Sequence, residues 1–155
     1  MDSTMSISRS FSLNTTLSED ELLAPFYYEV VTMESGDARY ITGTRSLLNV
    51  RPDSPQFDWM CSFGVEYNMH VSVRIDNETA PETMRLLDDV VGPFIKAVGG
   101  EGWIQHHDIP FVHWSEGMIR VDSSRYGTER VVQSLEAAGL DYQAADLWSE
   151  YNAEV

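Results

Sequence analysis

Two stretches of the chain alternate between apolar and polar residues with a period of two. In the first, residues 5–14, apolar positions alternate with serines, and Arg9 is the one charge on the apolar phase. The second alternates without interruption over the thirteen residues from Phe63 to Ile75. A period of two with one polar face is typical of half-buried antiparallel strands. The second stretch therefore predicts a long strand near the centre of a sheet.

Two helix starts carry the sequence of a capping box, in which Ser or Thr is followed three residues later by Glu. One is Ser18 with Glu21, and Pro25 keeps that helix short. The other is Thr79 with Glu82, ahead of apolar residues spaced by three and four. This spacing predicts a long amphipathic helix whose apolar face covers the sheet.

The remaining elements follow from the same patterns. Residues 26–33 are ambiguous between helix and strand. Strands are predicted at 39–50, 102–107, 110–114 and 118–123, and short helices at 131–139 and 141–152. The predicted order is β-α-β-β-α-β-β-β-α-α, an α+β fold with an antiparallel sheet and helices packed on one face. We expect a single domain over 1–155, of which 123–155 form a helical C-terminal extension.

The charge of the chain narrows the classes of partner. Twenty-five acidic residues against ten basic ones give a formal net charge of −15. A negative electrostatic potential of this strength repels nucleic acid and anionic membranes and attracts a basic protein. A general surface bias towards acidic residues is an alternative explanation of the net charge. Cys61 is a lone cysteine, and neither a signal peptide nor an apolar run of ~20 residues is evident. These features predict a cytoplasmic protein.

The histidines offer the best candidate for catalysis. His106, Asp108 and His113 lie within one predicted hairpin, where three such ligands could hold zinc. Neighbouring residues of a strand face opposite ways, so at most one of His106 and His107 can join His113. No metal-binding spacing of an established kind is present, and we expect no cofactor and no catalytic residue. A small metal-dependent hydrolase or small-molecule-binding domain using the His106–His113 hairpin remains the alternative.

Aromatic residues among acids are better candidates for binding a partner. Tryptophan and tyrosine are enriched at the centres of protein interfaces, while Trp103 is better explained as part of the core. The predicted contact residues are Asp53, Asp58 and Trp59 in the acidic loop, Glu66 on the long strand, and Trp114 with Glu116.

Two stretches resemble one protein family. Residues 7–23 (ISRSFSLNTTLSEDELL) are similar to the opening strand and capped helix of the immunity proteins of the bacterial Sit toxin-exchange system. Residues 63–76 (FGVEYNMHVSVRID) resemble the central strand of that family, including its final Arg74, Ile75 and Asp76. The similarity extends over roughly residues 6–122. It implies a cytoplasmic binding protein without catalytic residues, which neutralises a toxin by contact.

These observations together predict an immunity protein that binds a cognate basic toxin domain. Charge complementarity accelerates association and makes it sensitive to salt. We therefore expect a binding protein rather than an enzyme, with an affinity that falls as salt is added.

Overall fold

A computed structural model of the chain describes residues 7–52, 67–106, 109–122, 128–147 and 149–150. Strands and helices alternate through these residues, and their mixture confirms the predicted α+β class. In chain order the elements are β1 (Ile7–Asn14), α1 (Glu19–Leu23), β2 (Tyr28–Met33), β3 (Gly36–Ile41), β4 (Leu47–Pro52), β5 (Met69–Ile75), a 3-10 turn (Asn77–Thr79), α2 (Ala80–Val98), β6 (Glu101–His106), β7 (Ile109–Ser115), β8 (Met118–Val121), α3 (Glu129–Ala137) and β9 (Gln143–Ala144).

The described strands form one sheet in the order β2-β3-β4-β5-β1-β6-β7-β8-β9. All neighbours are antiparallel except β8 and β9, which run parallel. The first strand of the sequence therefore lies at the centre, where it pairs with β5 from Ile7↔Ile75 to Leu13↔Met69. β5 forms the last seven residues of the predicted long strand; Tyr67 and Asn68 are described but precede the strand, and residues 63–66 lie outside the described residues.

Helix α2 covers the apolar face of the sheet. Phe11 of β1, Phe26 after α1 and Phe94 of α2 form a buried aromatic cluster, with ring centroids 4.9, 5.4 and 5.6 Å apart. Burial of one such side chain contributes about 1.5–3 kcal/mol, and the contact between two rings adds about 0.5–1.5 kcal/mol. This cluster ties the helical layer to the centre of the sheet.

Helix α2 continues through Pro93 because α3 supplies a missing hydrogen bond. Proline has no N–H, so the carbonyl of Asp89, four residues earlier, loses its helical donor. The Ser134 hydroxyl of α3 donates to that carbonyl at 2.7 Å and accepts from the Gly92 N–H at 2.8 Å. A Cβ at residue 92 would collide with the Ser134 carbonyl, so glycine permits the two helices to approach this closely.

One of the two predicted capping boxes is present. The Ser18 hydroxyl accepts from the Glu21 N–H at 3.2 Å, and the Glu21 carboxylate accepts from the Ser18 N–H at 2.9 Å. The Thr79 prediction is wrong, because its side chain makes no cap hydrogen bond to α2. A 3-10 turn precedes the helix, and the Thr79 hydroxyl accepts instead from the Arg45 N–H at 3.1 Å.

Residues 26–52 contain more strands than the pattern predicts. The ambiguous segment 26–33 contains β2, which forms a hairpin with β3. The predicted single strand at 39–50 is instead the end of β3 and most of β4. A turn separates them because Gly43 takes a positive φ of 81°, and the Thr44 hydroxyl donates to the Ile41 carbonyl at 2.8 Å.

The predicted helix at 141–152 is wrong in its first half. Gln143 and Ala144 form β9, which pairs with Arg120 and Val121 of β8, and the Ala145 N–H donates to the Val121 carbonyl at 3.0 Å. An extended segment satisfies the open edge of β8, which a helix could not do. Helical conformation begins at Leu147.

Candidate interaction surface

The structure does not bring the predicted contact residues together. Asp53, Asp58, Trp59 and Glu66 lie outside the described residues. Glu116 is exposed in the turn between β7 and β8, with a positive φ of 52°.

Trp114 is not a surface residue, and its predicted role in contact is corrected. The side chain is 2% exposed and packs edge-on against Phe94 at 6.4 Å. Its indole N–H donates to the Gly99 carbonyl at 2.8 Å. Side chains two residues apart in a strand lie on the same face, so Trp114 shares the helix-covered face of β7 with the buried Val112.

The structure also separates the two histidines of the alternative metal site. His113 is opposite Trp103, whereas His106 is opposite Ile109 and faces the helical layer beside Arg9. The two side chains therefore lie on opposite faces of the sheet and cannot share one ion. Asp108 lies outside the described residues, and within the described ones no three His, Cys, Asp or Glu side chains are grouped to hold a metal.

His113 belongs to a cluster on the face of the sheet away from the helices. Its ring stacks on Trp103 at 4.1 Å, and its Nδ1 accepts from an Arg120 N–H at 3.0 Å. Burial, followed by the positive charge of Arg120, lowers the pKa of His113 to about 4. The neutral ring thus acts as a hydrogen-bond acceptor for Arg120, which also pairs with Glu150 at 2.7 Å.

His70 lies on the same face of the sheet. Its Nδ1 is 3.4 Å from the Ser12 hydroxyl of β1. Burial, followed by the charge of Arg51, lowers the pKa of His70 to about 4. Both histidines are therefore neutral at pH 7 and serve the packing of this face.

The charge on the apolar phase of β1 has a structural explanation. Arg9 is buried and donates to Asp88 of α2 at 2.7 Å, and its guanidinium lies 4.8 Å from the ring centre of Phe111. A charge in such a place requires a partner of opposite sign, which the helix supplies. This pair joins sheet and helix rather than forming a site open to solvent.

Exposed apolar side chains concentrate instead at one edge of the sheet. Tyr27 is 73% exposed, and on β2 the exposed fractions are 55% for Val30, 43% for Val31 and 47% for Met33. We call these four residues the edge surface. None of the four is among the contact residues predicted from the sequence. The aromatic and β-branched residues of 26–33 favour a strand, but no local signal shows that the strand lies at an edge.

A groove adjoins the edge surface on the helix-covered side. Its volume is about 520 Å³, and Tyr27 belongs both to the groove and to the edge surface. The other lining side chains are mostly apolar and come from the segment after α1, from β3 and from α2; they include Pro25, Phe26, Ile41, Leu86, Val90 and Pro93. Pockets lined mainly by apolar side chains are the usual receptors for a partner's anchoring side chain.

The charges beside the edge surface are negative. Glu29, Glu34 and Asp37 are exposed on the β2–β3 hairpin. Arg39, the one base of the hairpin, is paired with Glu19 of α1. Among the described residues no cation pairs with these three carboxylates, so a partner at this edge meets apolar side chains beside free negative charge.

The chain matches no protein-family model, no curated protein and no solved structure. None of the helices in the described residues is both long and apolar enough to cross a membrane.

Proposed function

We propose that this protein is a cytoplasmic immunity protein that neutralises a basic toxin domain by binding it directly. The observation that carries the proposal is the edge surface, a set of exposed apolar side chains on and just before the outermost described strand of a strongly acidic chain. Natural sheets usually protect such an edge with lysine, proline or a covering segment, because an exposed apolar edge pairs with other chains. An edge of this kind is consistent with a strand that meets a partner.

The electrostatics fit a basic partner. The exposed carboxylates of Glu29, Glu34 and Asp37 are beside the apolar side chains, and the whole chain carries −15. Interfaces combine an apolar centre with a polar rim, and complementary charge on the rim accelerates association. The resemblance of residues 7–23 and 63–76 to the Sit immunity proteins supports a toxin as the class of partner. The alternative based on the His106–His113 hairpin is not proposed, because the two side chains face opposite sides of the sheet.

The test asks whether a neighbouring gene encodes a toxic domain that this protein neutralises, and it uses a matched pair of variants. Met33 of the edge surface and Met118 of the β7–β8 hairpin have similar exposed fractions, 47% and 51%. Met33→Lys and Met118→Lys therefore make the same chemical change at two places. We expect Met33→Lys to weaken toxin binding about tenfold or more, since it places a charge at an apolar contact.

Binding is measured with purified proteins at two salt concentrations, and neutralisation by growth on co-expression. The proposal predicts that Met118→Lys binds and protects within about twofold of the wild type, because β8 is near the other end of the sheet from β2 and a distant charge is screened by salt. It also predicts weaker binding at the higher salt concentration. Growth that is not rescued by the wild-type protein contradicts the function, and equal effects of both variants contradict the site.

A further inference from the structure

The backbone of β2 offers hydrogen-bonding groups to an incoming strand. The Tyr27 carbonyl accepts from the Thr42 N–H at 2.9 Å, and the register with β3 is constant from Tyr28↔Ile41 to Met33↔Gly36. Hydrogen-bonded and non-hydrogen-bonded pairs alternate in an antiparallel ladder. Residues 29, 31 and 33 therefore bond to β3, and the N–H and carbonyl groups of residues 28, 30 and 32 point to the open edge.

We propose that the partner binds by adding an extended, basic strand to β2. This inference rests on the proposed function, because it names the element of the partner that the edge surface receives. No strand of the described chain lies beyond β2, so an added strand would extend the sheet by one. Strand addition draws affinity from backbone hydrogen bonds and specificity from alternate side chains.

The side chains of β2 define the chemistry of that strand. Tyr28 and Val30 lie on the helix-covered face, the face on which Ile41, opposite Tyr28, lines the apolar groove. Glu29 and Val31 lie on the other face. Directly opposed side chains in a sheet interact, and opposite charges or apolar pairs stabilise the pairing. The fitting strand therefore alternates, with apolar residues on the face of Tyr28 and Val30 and lysine or arginine on the face of Glu29.

The charge of the protein favours this occupant over a second copy of the same chain. Pairing of two β2 strands would bring together two molecules of net charge −15, each with Glu29, Glu34 and Asp37 beside the contact. Strong net charge of one sign keeps proteins apart. A basic strand reverses the sign of that interaction and is attracted to the same edge.

The experiment uses a short peptide of alternating lysine and valine with blocked ends, titrated into the complete protein at low salt. We expect slower amide hydrogen exchange and shifted amide resonances at Tyr28, Val30 and Thr32. Two control peptides isolate the causes. One alternates glutamate and valine and tests the charge; the other carries N-methyl groups at two consecutive central residues, which removes a backbone donor from each edge.

A pair of variants tests the backbone contribution separately from the side chain. Val30→Pro removes an N–H that points to the open edge, so the ladder with β3 stays intact, and proline is tolerated at such positions. Val30→Ala keeps the N–H and shortens the side chain. We expect Val30→Pro to weaken peptide binding about tenfold more than Val30→Ala, since it removes a hydrogen bond and obstructs the added strand.

Each outcome decides the proposal. Equal binding of the normal and N-methylated peptides, or absence of protection in β2 at millimolar lysine–valine peptide, overturns strand addition even if Val30→Pro fails to fold. A dimer in sedimentation without peptide, with protected β2 amides, identifies a second copy as the occupant and also overturns it. Toxin neutralisation that persists in any of these cases leaves the proposed function standing.

Discussion

The described part of the chain forms a sheet of nine strands, and the two ends of this sheet differ in whether their outer side chains are buried or exposed. At the β8 end, β9 pairs with the outer strand, Leu147 packs on Trp103, and Glu150 pairs with Arg120. At the β2 end, apolar side chains are exposed, and no strand among the described residues pairs with the outer side of β2. We call the β8 end the closed end and the β2 end the open end. Since an open apolar edge carries the risk of aggregation, the contrast between the two ends agrees with the proposal that a partner binds at the open end.

We expect the largest loss of stability from a substitution in the buried contact at the closed end. Leu147 is fully buried against Trp103, so Leu147→Ala leaves a cavity and should lower the free energy of unfolding by about 2–4 kcal/mol. Val31→Ala at the open end should change it by less than about 0.5 kcal/mol, because Val31 is exposed. Urea unfolding of both variants measures the contrast. Similar losses in the two variants would contradict the distinction between the ends.

The closed end should also respond to pH. The pKa of His113 is near 6.5 in the unfolded chain and about 4 in the folded protein. Between these pH values the unfolded chain therefore binds more protons than the folded protein. The contribution of His113 to stability is complete above about pH 6.5 and is lost as the pH falls towards 4. His70 contributes in the same direction.

His113→Gln separates the two histidines. Glutamine does not titrate and can still accept a hydrogen bond from Arg120. We expect the variant to lose about 2 kcal/mol less than the wild type between pH 6.5 and 4, as followed by chemical unfolding at each pH. An unchanged pH dependence would show that His113 is not buried and neutral in the folded protein.

A smaller effect should come from the ion pair that holds the last described residues. Arg120 and Glu150 are partly exposed, so a double-mutant cycle with Arg120→Gln and Glu150→Gln should give a coupling below about 1 kcal/mol. Arg120→Gln alone should cost more than Glu150→Gln, because it also removes the donor to His113. Equal single losses would contradict the role of Arg120 as the link between His113 and the C-terminal segment.

Local sequence patterns predicted the elements whose type does not depend on a partner distant in sequence. The serine alternation predicted β1, and the spacing of apolar residues predicted α2. Arg9 lies on the apolar phase of β1, but only the fold shows that it is buried and that Asp88 pairs with it. The position of Trp114 was also readable, because it shares its phase with Val112.

The candidate site depended on information that a local pattern does not carry. Residues 143–144 form a strand because β8 offers an open edge distant in sequence. In the same way, the valines of β2 have the composition of a buried strand, and their exposure follows from the place of β2 in the sheet order. Whether a strand lies at an edge depends on the whole sheet. The local patterns therefore placed the predicted partner-binding residues elsewhere in the chain.

Hydrogen exchange of the protein with and without the toxin domain shows which edge of the sheet the toxin covers. If the toxin adds a strand to β2, complex formation slows exchange at the amides of Tyr28, Val30 and Thr32 and leaves residues 143–147 unchanged. Slower exchange confined to the closed end, with no change in β2, would contradict binding at the open end.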